Sequence, residues 1–424
     1  MMVCWKQMRK HRFLVVFLTF FVVDLVLTML EWARNHAYMK DREKKCFDFT
    51  VKRTKHLSRF YANMLDAKGR YFIESNVNGL ASKPHRWCVT LATHCTLQSL
   101  TYLTAVASAW TCPISAAVYS DDAAYEEILL AFMSCNANAL RNVSLHLVRP
   151  VASSAKQSTL ASRFRLLDFG KDPVGSCRQL DHLLDREPSV TYPANLLRNV
   201  ARVEARTRFV FSADVELIPG ADLCASFQRF ASKQFPACSL FSAASMDAMV
   251  LPAFEVKRDF FEKHRKFFPL DKKALRRLIE HGIARPMASD TCYSCQNRTD
   301  YQEWMRNLMT TDFSIAYEVD WAHSYEPLFV AEKRAVPEFD EGFSHRDFER
   351  LSRLCEMHVA GWRFYVLNSG FVLSRGFVRK TTTGLIEGKN FAENMALYLE
   401  LQKRLARKYP GSSKNCDILP LYTL

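Results

Sequence analysis

Apolar residues fall into two alternating rhythms along much of the chain. Arg86 to Thr93 is a β-rich run that predicts a strand, ended by His94-Cys95-Thr96. Leu97, Leu100, Leu103, Val106 and Trp110 follow at helical spacing. Pro113 to Tyr119 predicts a second strand with Ser120-Asp121-Asp122 at its end, Ala124 to Ala139 a second helix, and Val143 to Val148 a third strand. Strand, helix, strand, helix, strand at this spacing predicts βαβ units, hence an α/β fold with a mostly parallel sheet. Right-handed crossovers then bring the strand ends to one side. Val151 to Val190 is polar with few periodic signals and reads as a loop-rich excursion.

The rhythm resumes from Tyr192 to Gly220. Pro193 fixes φ in a turn, and Asn195 is placed to cap the helix that follows. Leu196, Leu197, Val200 and Val203 recur on an apolar face, while Arg198, Arg202 and Arg206 share a polar one. Phe209-Val210-Phe211 predicts a strand that breaks off at Asp214-Val215-Glu216, before a Pro219-Gly220 turn. Carboxylates at the end of a buried strand are costly to desolvate without positive partners. Asp214 and Glu216 are hard oxygen ligands suited to Mn²⁺ or Mg²⁺, and such an ion can bridge to nucleotide phosphates. In open α/β sheets that edge is also where ligands bind. The alternative is a turn capped by Asp214, with Glu216 in solvent.

Farther along, Leu223 to Phe230 predicts a helix and Leu240 to Val256 further sheet. Lys257 to Ile283 is helical and strongly basic, either a solvated surface or a contact face for an acidic glycan. Glu326 to Val330 predicts a short strand and Pro337 to Phe343 an acidic-aromatic loop. Phe348 to Val359 predicts a helix, and Phe364 to Leu367 and Phe371 to Leu373 two strands around Asn368-Ser369-Gly370.

The N-terminus adds a compartment. Phe13 to Leu30 holds eighteen residues with one charge, Asp24, just enough to span a bilayer. Lys6, Arg9, Lys10 and Arg12 precede it and Glu31 follows, which favours a cytosolic N-terminus. No small-x-small pattern follows Leu30, so the segment reads as an uncleaved type II anchor rather than a signal peptide. Asp24 then faces a partner helix or water. The chain divides into a cytosolic tail (1–12), a transmembrane signal-anchor (13–30), a stem (31–85, partly helical between Asp41 and Leu65) and a lumenal domain (86–424). Of 13 cysteines, Cys4 is cytosolic, leaving an even twelve for disulfides. Cys292-Tyr293-Ser294-Cys295 has no second ligand pair for zinc and reads as structural disulfide. Asn142-Val143-Ser144 and Asn297-Arg298-Thr299 are glycosylation acceptors. The net charge of +14 is spread along the chain, without zinc-finger spacing or an aromatic-interleaved RNA motif. That argues against nucleic acid and for an anionic donor or glycan acceptor.

Several segments, in order, resemble the dystroglycan-type glucuronyltransferase family of Golgi glycosyltransferases (glycosyltransferase family 49). They are Val89-Thr90-Leu91-Ala92-Thr93-His94, the Asp214-Val215-Glu216 strand end, Glu326-Pro327 to Val330 and Phe339-Asp340-Glu341 to Phe343. Glu356-Met357-His358-Val359-Ala360-Gly361 and Val366-Leu367-Asn368-Ser369-Gly370-Phe371 complete the series. The resemblance implies a GT-A type fold, a mixed, mostly parallel sheet flanked by helices. It implies inverting transfer from a UDP-sugar, UDP-glucuronic acid first, to a glycan acceptor on a glycoprotein. Mn²⁺ or Mg²⁺ would sit at Asp214 and Glu216. Thr93, His94, Arg198, Asp214 and Arg375 become donor-site candidates. Asp340 and Glu341 become candidates to take the acceptor hydroxyl's proton, against their reading as an exposed acidic turn. His94 by itself would read as a structural histidine. The implied setting is the Golgi membrane with the domain lumenal, alone or in homo- or hetero-oligomers with other glycosyltransferases.

This chain departs from the family twice. The family usually has Asp-x-Asp where Asp214-Val215-Glu216 stands, and a metal-completing histidine where Ser374 stands. A serine hydroxyl is a poor Mn²⁺ ligand beside imidazole. Water could fill the place, or Arg375 could hold the diphosphate without a metal. Loss of activity is the third outcome, which leaves open a non-catalytic protein that binds glycan or nucleotide or assists a partner enzyme.

Overall fold

The computed structural model describes residues 64–79, 89–122, 124–151, 159–185, 192–235, 245–307, 312–343, 348–377 and 387–416. The tail, the anchor at 13–30 and the stem up to 63 lie outside the described residues. Among those described, no helix is long and apolar enough to cross a membrane.

A short hairpin of β1 (Met64–Leu65) and β2 (Tyr71–Glu74) comes first. The series β3 (Val89–Thr96), α1 (Leu100–Ala109), β4 (Ile114–Tyr119), α2 (Tyr125–Cys135), β5 (Val143–Pro150) matches the predicted βαβ units. Then come α3 (Thr159–Phe164), α4 (Pro173–Leu183), α5 (Ala194–Glu204), β6 (Phe209–Ser212), β7 (Ile218–Pro219) and α6 (Leu223–Gln234). β8 (Asp247–Leu251), β9 (Ala253–Val256), α7 (Arg258–Lys263), α8 (Lys272–Glu280), β10 (Ala284–Pro286) and α9 (Tyr301–Arg306) follow. β11 (Ile315–Val319), β12 (Leu328–Glu332), α10 (Glu349–Val359), β13 (Arg363–Leu367), β14 (Val372–Arg375) and α11 (Glu387–Lys408) close the chain.

The main sheet runs β1-β2-β5-β4-β3-β6-β12-β8-β13-β11. Neighbours from β5 to β6 are parallel, as are β8 and β13. The remaining neighbours are antiparallel, so the sheet is mixed rather than mostly parallel. Two insertions and the antiparallel edge strand β11 cause this. β12 returns between β6 and β8 against both, and the β1–β2 hairpin adds to β5 with Tyr71 opposite Pro150. Residues 64–74, read from sequence as stem, are therefore part of the sheet.

Helices cover both faces, which explains why the central strands β3 and β4 are buried throughout. Leu100, Leu103, Phe132 and Phe227 pack with Leu91, Ile114 and Phe211 on one face. Leu196, Leu197, Val200 and Leu354 pack with Ala92, Ala117 and Val210 on the other. Under this double cover β3 does not end at His94 but continues, fully buried, to Thr96. A second sheet, β10-β9-β14-β7, brings Leu373 opposite Ile218. Pro219 thus lies in a strand rather than a turn.

The excursion from 151 to 190 contains two helices instead of loop alone. Asp172 caps α4 by accepting from the Gly175 N–H at 2.9 Å, and Pro173 occupies its first turn. Cys177 in α4 bonds to Cys135 of α2. Cys112–Cys224, Cys292–Cys295 and Cys355–Cys416 are the other described disulfides. Cys95 is buried and free, so the even-count pairing does not extend to it.

Candidate functional site

The site begins where β6 runs out of apolar residues. The Ala213 N–H still donates to Ala92 O (3.0 Å), but the Leu217 N–H donates to Asp214 O (3.0 Å) and closes a turn. Ala213 and Val215 pack into the α1 side of the core, which turns the Asp214 carboxylate to the α5 side with His94. His94 Nε2 lies 3.2 Å from Asp214 Oδ1. Burial holds the His94 pKa below its ordinary value, outweighing the pull of Asp214.

Two guanidinium groups meet the same carboxylate. Arg350 from α10 donates to Asp214 Oδ2, and Arg198 Nη2 from α5 donates to Oδ1 at 3.3 Å. Arg198 Nη1 also donates to Asn195 Oδ1 and to Glu349 Oε2, both at 2.8 Å. Asn195 is therefore inside the helix holding Arg198 rather than capping it, and its Nδ2 donates to Asp340 O at 2.8 Å. Burial opposes ionisation of Asp214, but Arg350, then Arg198 and His94, overcome it and hold the carboxyl well below the usual carboxylate range. Burial likewise opposes charge on Arg198, and Asp214 and Glu349 more than offset it. Asp214 still presents 31 % of its side chain to solvent, enough to meet a ligand.

Beside this cluster opens a shallow cleft lined by Ser212, Asp214, Phe329, Phe339, Arg350 and Arg353 among others. It lies between the end of β6, the start of β12 and the inner face of α10.

The expected site residues divide. Asp214, His94 and Arg198 converge. Glu216 is exposed one turn beyond, and burial together with the charges of Asp214 and Glu216 raises the Tyr192 phenol above its ordinary pKa. Both carboxylates thus act on one ring. Thr93 is wholly buried on the opposite face of β3 from His94 and does not reach the cleft. Arg375 stacks over Tyr102 (4.5 Å) and Phe261 (4.9 Å) and is not a cleft residue. The β7–β14 pairing ends at Leu373 opposite Ile218, and Ser374 lies opposite Glu255 of β9. Asp340 caps its own turn through the Gly342 N–H (2.8 Å) and pairs with Arg404. Glu341 Oε1 accepts from Asn199 Nδ2 at 2.9 Å. Asn297 is exposed, and Asn142 Nδ2 donates to Thr111 O at 3.0 Å.

Sequence reasoning missed Glu349, Arg350 and Arg353. Their only signal was two arginines three apart, one helical turn, behind a first-turn glutamate. As for a metal, no three or more His, Cys, Asp or Glu side chains converge among the described residues. Asp214 and Glu216 are the two carboxylates expected to hold one; both oxygens of Asp214 already meet Arg198, His94 or Arg350, and Glu216 is exposed.

Residues 88–410 match the family described as glycosyl-transferase for dystroglycan. The chain belongs to this family. All members of the Asp214 cluster fall within the matched span. Beta-1,4-glucuronyltransferase 1 of Bos taurus is 31% identical over 371 residues, 83% of this chain and 83% of its own length. Xylosyl- and glucuronyltransferase LARGE2s of Gallus gallus is 25% identical over 334 residues, 78% of this chain and 36% of its own. The crystal structure of GalNAc-T7 with UDP, GalNAc and Mn2+ overlaps 80% of this chain and 53% of its own at 11% identity, with a TM-score of 0.33, too loosely to argue from. As a member of this glycosyltransferase family the protein is an enzyme, and Asp214 with its arginines is the site to explain.

Proposed function

We propose that this glycosyltransferase transfers glucuronic acid from UDP-glucuronic acid, with inversion, to a glycan on a glycoprotein. In this reading the mixed α/β domain is of GT-A type and is held in the Golgi lumen by the 13–30 anchor. The observation that carries it is Asp214, a carboxylate kept ionised at the end of β6 in an arginine-rich cleft. The name of the bovine relative supports the choice of donor.

Departure of UDP builds negative charge on the diphosphate. Arg198 and Arg350 aim positive charge at the carboxylate edge and are placed to share it with the leaving group. A divalent ion, Mn²⁺ or Mg²⁺, bound through Asp214 and Glu216 would supply Lewis-acid charge at the diphosphate. His94, buried, backs the Asp214 carboxylate from β3 at 3.2 Å. Inversion also requires a carboxylate to take the acceptor proton. Asp340 is committed to Arg404 and its own turn, whereas Glu341 uses Oε1 on a neutral amide, so Glu341 is the better acceptor of that proton.

The test is a panel of UDP-sugars incubated with the full-length protein in detergent and Mn²⁺, with donor consumption followed by mass spectrometry. UDP-glucuronic acid should be consumed ahead of the others. Preference for another donor would overturn the assignment.

A further inference from the structure

Arg353 lies one helical turn beyond Arg350 on α10 and lines the same cleft. Only 4% of the residue is exposed. Its Nε is buried without a hydrogen-bond partner, and among the described residues no carboxylate lies within ion-pair distance of it. The charge that favours it, Glu356, is engaged by Lys408 Nζ (2.8 Å) and Tyr409 Oη (3.0 Å). Burial, and then Arg202 and Arg198, disfavour its charge. Its guanidinium does lie over Phe339 (4.1 Å) and Phe329 (5.6 Å), two rings that hold its plane at the cleft wall. A cation–π contact offsets only part of the desolvation of an arginine. Buried charges are paired, and this one lacks its anion.

We infer that Arg353 receives the sugar carboxylate of a uronic acid nucleotide donor and so sets the enzyme's choice of donor. The inference rests on the transfer proposed above. Geometry selects the donor's carboxylate over its phosphates. Under that reading Arg350 and Asp214 meet the diphosphate, and three residues along a helix advance the position by about 4.5 Å. In a nucleotide uronate the carboxylate lies across one pyranose ring from the anomeric oxygen, a separation of that order. The planar fork of an arginine matches a carboxylate with two parallel hydrogen bonds, which an uncharged hydroxymethyl group cannot answer. Donors lacking the carboxylate leave the buried guanidinium unpaired and are disfavoured on that account.

Arg353→Gln and Arg353→Lys in the full-length protein test this, with kcat/KM measured for UDP-glucuronic acid and UDP-glucose and UDP affinity measured by calorimetry with Mn²⁺. Arg353→Gln should lower kcat/KM for UDP-glucuronic acid by roughly a hundredfold. UDP-glucose turnover should rise, because no unpaired guanidinium then opposes it, UDP affinity should change far less than UDP-glucuronic acid turnover, and Arg353→Lys should restore part of the loss. Wild type that uses UDP-glucuronic acid, with variants that lose both donors equally, would overturn the inference and leave the transfer reading standing. Wild type that uses UDP-glucose but not UDP-glucuronic acid would overturn both.

Discussion

Arg350 closes on the carboxylate of Asp214 across 136 residues of chain. One comes from the helix α10 and the other from the end of β6, so their pairing fixes the two walls of the cleft against each other. Arg198 reinforces this from α5 by reaching both Asp214 and Glu349. The arrangement places positive charge around a carboxylate that a ligand can still approach.

Arg198 is the residue whose loss this network tolerates least. Its side chain is 10% exposed, and removing it strips Glu349 of its guanidinium partner and Asp214 of one of two. Arg198→Met should destabilise the fold by about 3 kcal/mol in urea unfolding, the low end for breaking a buried pair, because Arg350 remains. Arg198→Lys should recover part of this, since one ammonium cannot span both carboxylates.

The sequence revealed more of the strands than of this network, for a physical reason. Phe209-Val210-Phe211 is apolar enough to announce a buried strand, and the sudden acids after it mark its end. Arg198 read from its spacing only as part of a polar helix face, and Arg350 and Arg353 were not singled out, because an arginine's partner is set by tertiary contact and not by its neighbours. His94 seemed to end a strand since a polar residue inside a sheet is normally a boundary. Here helices on both faces and a neighbouring carboxylate let it stay inside. α4 was hidden because its apolar face is short, and its cap Asp172 and its disulfide Cys135–Cys177 make up for that.

The disulfide Cys355–Cys416 ties α10 to the C-terminal segment over a separation of 61 residues. Chain entropy assigns a bridge of that span about 4 kcal/mol. Cys416→Ser should lower the melting midpoint accordingly. It should also raise KM for the nucleotide donor, because α10 carries Arg350 and Arg353.

Acid should weaken the fold through His146. Its Nδ1 accepts from the Asn76 N–H at 3.0 Å, so Nε2 carries the hydrogen it shares with Ser115 Oγ at 3.0 Å. Burial pushes its pKa from 6.5 down to about 4. Between these values the unfolded chain binds a proton that the folded chain refuses. Stability should therefore fall as pH drops from 6.5 toward 4, by on the order of 3 kcal/mol, and be insensitive to this group above 6.5. Denaturant midpoints across that range, compared with His146→Gln, should show a flatter slope in the variant.

The most direct measurement is the rate of UDP release from UDP-glucuronic acid, with Mn²⁺ present, by wild type, Asp214→Ala and Glu216→Ala. Wild type should release UDP, Asp214→Ala should lose activity by roughly a thousandfold, and Glu216→Ala should show weakened dependence on the metal. Undiminished release by Asp214→Ala would contradict the central place given to that carboxylate.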